Sequence, residues 1–96
     1  MIENTRHNIS AFAFVIHMAE DVFYVFCTPM SSAKDNVVID LWCLENPLFT
    51  CRKAFALNDM LIVSVRRAIL DIAKQHHIDT SAVAVNRIDP TTGALE

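Results

Sequence analysis

The sequence predicts an α+β domain in two layers, with a mostly antiparallel sheet of four to five strands and one long amphipathic helix on one face. Four apolar segments rich in aromatic and β-branched residues, separated by short polar joints, precede position 58. After Asn58 the apolar residues recur at steps of three and four, the period of one helix face. A last short apolar segment follows, so the predicted order is β-β-β-β-α-β.

The first two segments, at 9–18 and 22–28, predict a hairpin. The polar joint Glu20-Asp21 lies between them and is short enough for a tight connection. Aromatic and β-branched residues occupy both parities of each segment. Because side chains alternate between the two faces of a strand, these strands are expected to be covered on both sides.

Two further strands follow at 37–44 and 49–55. The loop at 29–36 contains proline, serine and asparagine and ends the hairpin. Asn46-Pro47 separates the third strand from the fourth, which carries charged residues at Arg52 and Lys53. A strand with this mixture is typical of a half-exposed sheet edge.

The helix is expected to run for about 19 residues, from Asn58 to near His77, which is roughly 28 Å of helix. Asn58 can accept a hydrogen bond from an early helical N–H, and Asp59 adds negative charge at that end. Leu57 and Ile62 are spaced for a hydrophobic staple. The face predicted to be buried consists of Leu61, Val65, Ala68, Ile69, Ile72 and His76. A closing strand at 82–88 and a turn at 89–93 complete a single domain, 1–96, with loose termini at about 1–7 and 90–96.

Composition narrows the class of protein. The net charge is −3 and 53% of the residues are hydrophobic, which excludes disorder and gives no basic surplus for phosphate binding. We therefore expect no nucleic-acid partner. The longest apolar stretch is too short to span a bilayer, so no membrane segment is predicted. Three cysteines without CxxC spacing favour the reducing cytoplasm.

One helix can cover only one face of the predicted sheet, so the second face needs to be covered by another molecule. Each buried Phe, Val or Ile contributes about 1.5–3 kcal/mol. Leaving side chains such as Phe12, Phe14, Phe23 or Val25 in water would remove much of the stability of a small domain. We therefore predict a homodimer, or a stable complex with another protein, in which the second sheet face is covered.

The sequence offers weak candidates for chemistry. His76 and His77 are adjacent on a helix, so they point in different directions and fit a helix-end role better than a metal site. Cys27, Cys43 and Cys51 lie in predicted strands, where cysteine usually acts as a small buried hydrophobe. One glycine in the chain leaves no phosphate-binding loop. We predict no catalytic residue, no metal site and no cofactor.

Two surfaces are candidate binding sites. Asp40 and Trp42 share one parity of the third strand and could form a cleft, although a solvent-facing Asp40 and a core Trp42 are the simpler interpretations. The outer side of the helix combines apolar and basic side chains, a mixture that protein interfaces enrich. An ordinary solvated face with an Arg67–Asp71 pair is the alternative. The predicted partner-binding strip on the helix consists of Met60, Val63, Arg66, Arg67 and Leu70.

These observations favour a small cytoplasmic protein-interaction module, such as an adaptor, an inhibitor, an immunity-type protein or a chaperone-like factor. Its chemistry would be binding, so an enzyme is the less favoured interpretation. The alternative is a small-molecule binding or catalytic domain with a cleft at a dimer interface that contains Asp40 and Trp42. An RNA-associated sheet would need exposed aromatic side chains interleaved with basic ones, which the acidic balance disfavours.

Overall fold

A computed structural model describes residues 10–18, 20–30 and 35–96 of the chain. The described elements are β1 (Phe12–His17), β2 (Val22–Pro29), β3 (Asn36–Cys43), β4 (Cys51–Ala56), α1 (Leu61–Gln75), a short 3-10 segment (Thr80–Ala82) and β5 (Ala84–Ile88). The strands form one antiparallel sheet in the order β4-β3-β2-β1-β5. The predicted α+β fold and order of elements are confirmed. The predicted loose segment 1–7 and residues 31–34 of the predicted loop at 29–36 lie outside the described residues.

The first two strands pair as the predicted hairpin. In their register Phe14 lies opposite Val25 and Ile16 lies opposite Phe23. The Met18 N–H donates to the Asp21 carbonyl oxygen at 2.9 Å and closes the connection. β5 then pairs with the other edge of β1, which leaves β1 with a neighbour on both sides. The most apolar strand therefore lies inside the sheet, where its backbone groups are paired on both edges.

The helix covers one face of the sheet, here called the helix face. Phe12, Phe14 and Ile16 of β1 are at most 2% exposed on this face, and Val65 and Ile69 of α1 are fully buried in the same core. The larger residues of β1 therefore face the helix. Phe14 and Val25, whose exposure would have been costly, are part of this core.

The opposite face, here called the helix-free face, carries the other parity of each strand. Ala13, Val15 and Ile88 form a small buried cluster there, with Phe26 half-buried against it. No residue of α1 belongs to that cluster. The remaining side chains on this face are exposed or half-buried: Val22, Tyr24 and Thr28 of β2, Asn36, Val38, Asp40 and Trp42 of β3, Arg52, Ala54 and Ala56 of β4, His17 of β1, and Ala84 and Asn86 of β5.

The helix begins later than the sequence predicted. Its first residue is Leu61, and the preceding Met60 is the N-cap without a side-chain hydrogen bond. The Asn58 Oδ1 atom accepts a hydrogen bond from the Met60 N–H at 2.8 Å, so Asn58 stabilises the turn before the helix. Asp59 lies in that turn and outside the first helical turn. Leu57 and Ile62, the predicted staple, are both half-buried against the core.

The helix ends at Gln75 in a Schellman motif. The Ile78 N–H donates to the Ala73 carbonyl oxygen and the His77 N–H donates to the Lys74 carbonyl oxygen. This motif requires a left-handed backbone, and His77 has a φ of 61°. His76 is half-buried and its ring stacks on Phe49, with 5.9 Å between centroids. The two histidines therefore lie at the helix end, one and two residues after Gln75.

Replacing His77 with glycine is expected to stabilise the protein. The left-handed conformation costs a residue with a Cβ about 1–2 kcal/mol, and the greater freedom of glycine in the unfolded chain offsets part of that gain. We expect the His77→Gly variant to be more stable by about 0.5–1 kcal/mol in urea unfolding. His76→Gly is the control, because His76 has a φ of −94° and stacks on Phe49, so this variant should be less stable. Destabilisation by both substitutions would contradict the assignment.

The last residues turn back along β5. The Asp89 Oδ1 atom accepts a hydrogen bond from the Thr91 N–H at 2.7 Å, and Gly93 adopts a φ of 77° in the turn. The Glu96 N–H donates to the Arg87 carbonyl oxygen at 3.2 Å, and the two side chains form an ion pair. The segment expected to be loose at 90–96 thus makes contacts that its sequence did not predict, because the partner groups belong to β5.

Candidate functional site

An aromatic patch lies on the helix-free face, formed by the middle of β2 and the last part of β3. We define it as Tyr24, Phe26 and Trp42. Tyr24 and Trp42 are each 39% exposed and Phe26 is half-buried. Phe26 lies directly opposite Trp42 in the strand register, and their rings stack with 4.8 Å between centroids. Exposed tyrosine and tryptophan side chains are a common feature of binding surfaces.

Trp42 is held in a defined orientation on this surface. One side of its indole packs on Phe26, and the Nε1–H donates to the Thr28 Oγ1 atom at 3.3 Å. Its polar atom is therefore partnered while much of the ring remains in solvent. The sequence predicted core packing as the simpler role for Trp42, and the structure instead places it at the surface. A fixed aromatic ring loses little conformational entropy on binding.

Asp40 lies beside the patch and forms an ion pair. Its Oδ2 atom is 3.2 Å from the Arg52 Nη2 atom of the neighbouring strand, and the two residues are directly opposite in the β3–β4 register. The sequence predicted that Asp40 and Trp42 could line a cleft. In the structure they share an open sheet face, and the three cavities described for this protein are lined by other residues. Asp40 therefore contributes a paired charge at the rim of the aromatic patch.

Glu45 positions the end of β2 next to this surface. Its Oε1 atom accepts a hydrogen bond from the Tyr24 backbone N–H at 3.0 Å and from the Cys43 S–H at 3.5 Å. Val25 and Cys43 form the last β2–β3 pair, and Tyr24 lies one residue beyond it. The Tyr24 N–H therefore has no β3 carbonyl opposite it, and the Glu45 side chain is its acceptor. The hydrogen bond from Tyr24 and then that from Cys43 lower the pKa of Glu45.

Removing the charge of Glu45 is expected to destabilise the protein modestly. The carboxylate is exposed, so we expect Glu45→Gln to lose about 0.5–1 kcal/mol at neutral pH. Because the folded pKa is lowered, the stabilisation is present above the unfolded value near 4.3 and is lost as the pH falls through the folded pKa. Urea unfolding of both proteins between about pH 3 and 7 measures it. Glu20→Gln, at an exposed turn, is the control, and an equal pH-dependent loss there would contradict the role of Glu45.

The predicted strip on the helix lies partly in a groove. Met60 and Val63 are 56% and 48% exposed and, with Arg67, line a groove between α1 and β4. Arg66 is exposed outside that groove, and Leu70 is half-buried against the core. The Arg67–Asp71 ion pair, the alternative predicted from the sequence, is not formed. Three of the five residues of the predicted strip therefore line the groove, and the other two lie outside it.

The thiols have the properties of packing residues. Cys27 is fully buried on the helix face, and burial raises its pKa to about 12. Burial also raises the pKa of Cys43. Cys51 is half-buried at the edge strand β4. A thiol that is both buried and hard to ionise is a poor nucleophile, so the geometry of Cys27 and Cys43 supports the structural role predicted for them.

Within residues 10–18, 20–30 and 35–96, no group of three or more His, Cys, Asp or Glu side chains is arranged to hold a metal ion. The same ranges contain no helix long and apolar enough to cross a membrane. The fold and the surface together define the class of protein: a small α+β domain that exposes an aromatic patch on the helix-free face of its sheet. No family model, curated protein or solved structure matches the chain.

Sequence reasoning did not single out Tyr24 and Phe26, the other two members of the aromatic patch. Both belong to β2, which is apolar at both parities, so the alternation of the strand gives no sign of which residues reach solvent. The register supplies that information, since Phe26 pairs with Trp42. With Trp42 and Asp40 on a solvent-facing side of β3, the register between β2 and β3 identifies Phe26 as a neighbour of Trp42.

Proposed function

We propose that this protein is a cytoplasmic protein-interaction module that forms a homodimer through the helix-free face of its sheet. The observation that carries the proposal is the aromatic patch, in which Tyr24 and Trp42 are each 39% exposed and Trp42 is fixed by Phe26 and Thr28. Aromatic side chains held in one orientation on a surface are typical of residues that dominate binding energy. Three free thiols support a reducing compartment.

The size of the face is sufficient for a stable interface. Strands about 4.8 Å apart with a rise of about 3.3 Å per residue give this five-stranded sheet a face of roughly 24 Å by 20 Å. Two such faces would bury about 1,000 Å² in total, which is near the lower limit for a specific complex. A second copy that covered only the aromatic patch would bury less, so the proposed dimer uses most of the face.

The charge of the face favours a second copy over a highly charged partner. Although the chain carries a net charge of −3, the acidic and basic residues that the described strands place on this face are Asp40 and Arg52, which already form an ion pair. Two copies can therefore approach through this face without like-charge repulsion. Two-fold self-association is also the commonest form of homo-oligomer.

An RNA ligand would contact exposed aromatic rings together with free cations. The helix-free face meets the first requirement through Tyr24 and Trp42. Its guanidinium group, Arg52, is paired with Asp40, and that carboxylate would repel a phosphate backbone. The protein partner is therefore the better-supported occupant.

Size-exclusion chromatography with light scattering tests the proposal. At concentrations from about 1 to 100 μM, the expected result is a mass approaching twice the chain mass of 10.8 kDa, with dissociation on dilution. A mass that stays at 10.8 kDa throughout this range would overturn the homodimer. Mass spectrometry of the protein purified from its native host shows whether another molecule covers the helix-free face. A copurifying protein or nucleic acid in place of a second copy would also contradict the homodimer.

A further inference from the structure

The two edges of the sheet differ in how they are protected. At β5 the chain's own end runs along the edge, where Leu95 forms a β-bridge with Ile88 and Glu96 contacts Arg87. At the other edge β4 pairs with β3 on one side. In the part of the chain that the structure describes, no strand pairs with the other side of β4. An edge of this kind presents unpaired N–H and C=O groups that can accept another strand.

The register identifies the backbone groups that point outward from β4. The Leu57 N–H donates to the Asp35 carbonyl oxygen at 2.9 Å, so this pair is hydrogen-bonded. Hydrogen-bonded and non-hydrogen-bonded pairs alternate in an antiparallel ladder. Residues 55, 53 and 51 therefore bond to β3, whereas Arg52 and Ala54 direct their N–H and C=O groups away from the sheet. An added strand would pair with these two residues.

A groove lies next to this edge on the helix face. It consists of two adjoining cavities of about 300 and 190 Å³ between β4 and α1, and both are lined by Lys53, Ala68 and Asp71. The larger cavity is also lined by Phe55, which is 6% exposed, and by Met60. Since alternate residues of a strand point to the same face, every second side chain of an added strand would reach this groove.

The charged side chains in the groove favour an added strand that carries acidic residues. Lys53 and Arg67 line the larger cavity with a single acid, Asp71, and neither cation forms an ion pair with a described residue. This net positive lining contrasts with the net charge of −3 of the whole chain. A second copy adding through β4 in a central antiparallel register would bring the Arg52 and Lys53 side chains of both copies together, and such like-charge contacts are destabilising.

We propose that the β4 edge and its groove bind an extended, acidic segment of another protein by strand addition. Backbone hydrogen bonds to Arg52 and Ala54 hold the segment. Its carboxylates contact Lys53 and Arg67, and an apolar side chain between them packs on Phe55. The groove lies on the helix face, opposite the face of the proposed dimer, so its lining residues remain accessible in that dimer.

The acetylated and amidated peptide Thr-Glu-Thr-Val-Thr-Glu-Thr is a direct probe, with the same peptide carrying Lys in place of Glu as its counterpart. We expect saturable binding of the acidic peptide at millimolar or lower concentrations in NMR titrations. Its signature is slowed amide exchange at Arg52 and Ala54. Binding of both peptides with equal affinity, or no binding of the acidic one, would overturn the proposal.

Three variants separate the parts of the site. Arg67→Glu should weaken binding of the acidic peptide at least about tenfold, whereas Arg66→Glu, next to it but outside the groove, should change it little. Ala54→Pro removes an outward N–H without removing a bond to β3, and should abolish binding. If Ala54→Pro does not fold, the amide exchange of the native protein decides between strand addition and a purely electrostatic contact.

Light scattering on Arg67→Glu keeps this proposal distinct from the homodimer. The variant should retain the mass of the native protein, whatever that mass is, because Arg67 lies on α1 and not on the helix-free face. A loss of mass specific to Arg67→Glu would place a second copy in the groove and contradict the acidic segment. A monomeric native protein that still binds the peptide would overturn the dimer alone.

Discussion

Replacing Phe14 with alanine is expected to lower the free energy of unfolding by about 3–5 kcal/mol, the usual cost of removing a buried aromatic ring. Phe14 is 1% exposed in the interior strand β1, where it contacts Phe12 edge to face at 6.0 Å between centroids. A domain of this size has a total stability of about 5–15 kcal/mol, so this loss is a large fraction of the total. Urea unfolding followed by circular dichroism measures the change.

Phe26→Ala is the matched control for this prediction. Phe26 belongs to the neighbouring strand β2 but lies on the helix-free face, where it is half-buried. Because less apolar area is removed from contact, we expect a clearly smaller loss than at Phe14. Measured at a protein concentration at which the chain is monomeric, equal losses at the two positions would contradict the assignment of the core to the helix face.

Placing aspartate at both Tyr24 and Trp42 is expected to convert the proposed dimer into a monomer. Each side chain is 39% exposed, so both charges remain accessible to solvent in the separate chain and folding should be retained. In a dimer the two aspartates would be buried without an opposite charge beside them. Because the interface is symmetric, it would contain four such charges. We expect association to weaken at least about a hundredfold.

Sedimentation equilibrium or light scattering across a dilution series measures this effect. Met60→Asp is the control, since it also exchanges an exposed apolar side chain for a charge but lies at the start of α1, away from the helix-free face. It should leave the mass unchanged. A double variant that stays dimeric, with its melting temperature preserved, would show that the interface is elsewhere on the protein.

The fold was largely predictable because its signals are local. The change of apolar period near Asn58 separates sheet from helix, and polar joints such as Asn46-Pro47 separate the strands. The mixed polarity of 49–55 indicated an edge strand, and β4 is one. Helix ends were less predictable, since Asn58 can cap a turn as readily as a helix.

The candidate site was predictable only in part. The shared parity of Asp40 and Trp42 correctly placed them on one face, and the structure adds that Asp40 pairs with Arg52. The aromatic neighbours of Trp42 could not be assigned, because β2 is apolar at both parities. The sequence could not show which residues of the helix strip line the groove, since helical periodicity gives the direction of each side chain around the axis but not the orientation of the helix on the sheet.

By itself, the sequence determined the class of fold and the order of its elements. These properties follow from backbone periodicity and composition, which are local. The tertiary structure alone decided that the larger residues of β1 face the helix, that Tyr24 joins Trp42 on the other face, and that β4 borders a groove with Lys53 and Arg67. Those results depend on strand register and on the placement of the helix. Both are set by which residues, distant in sequence, bury the most apolar surface together.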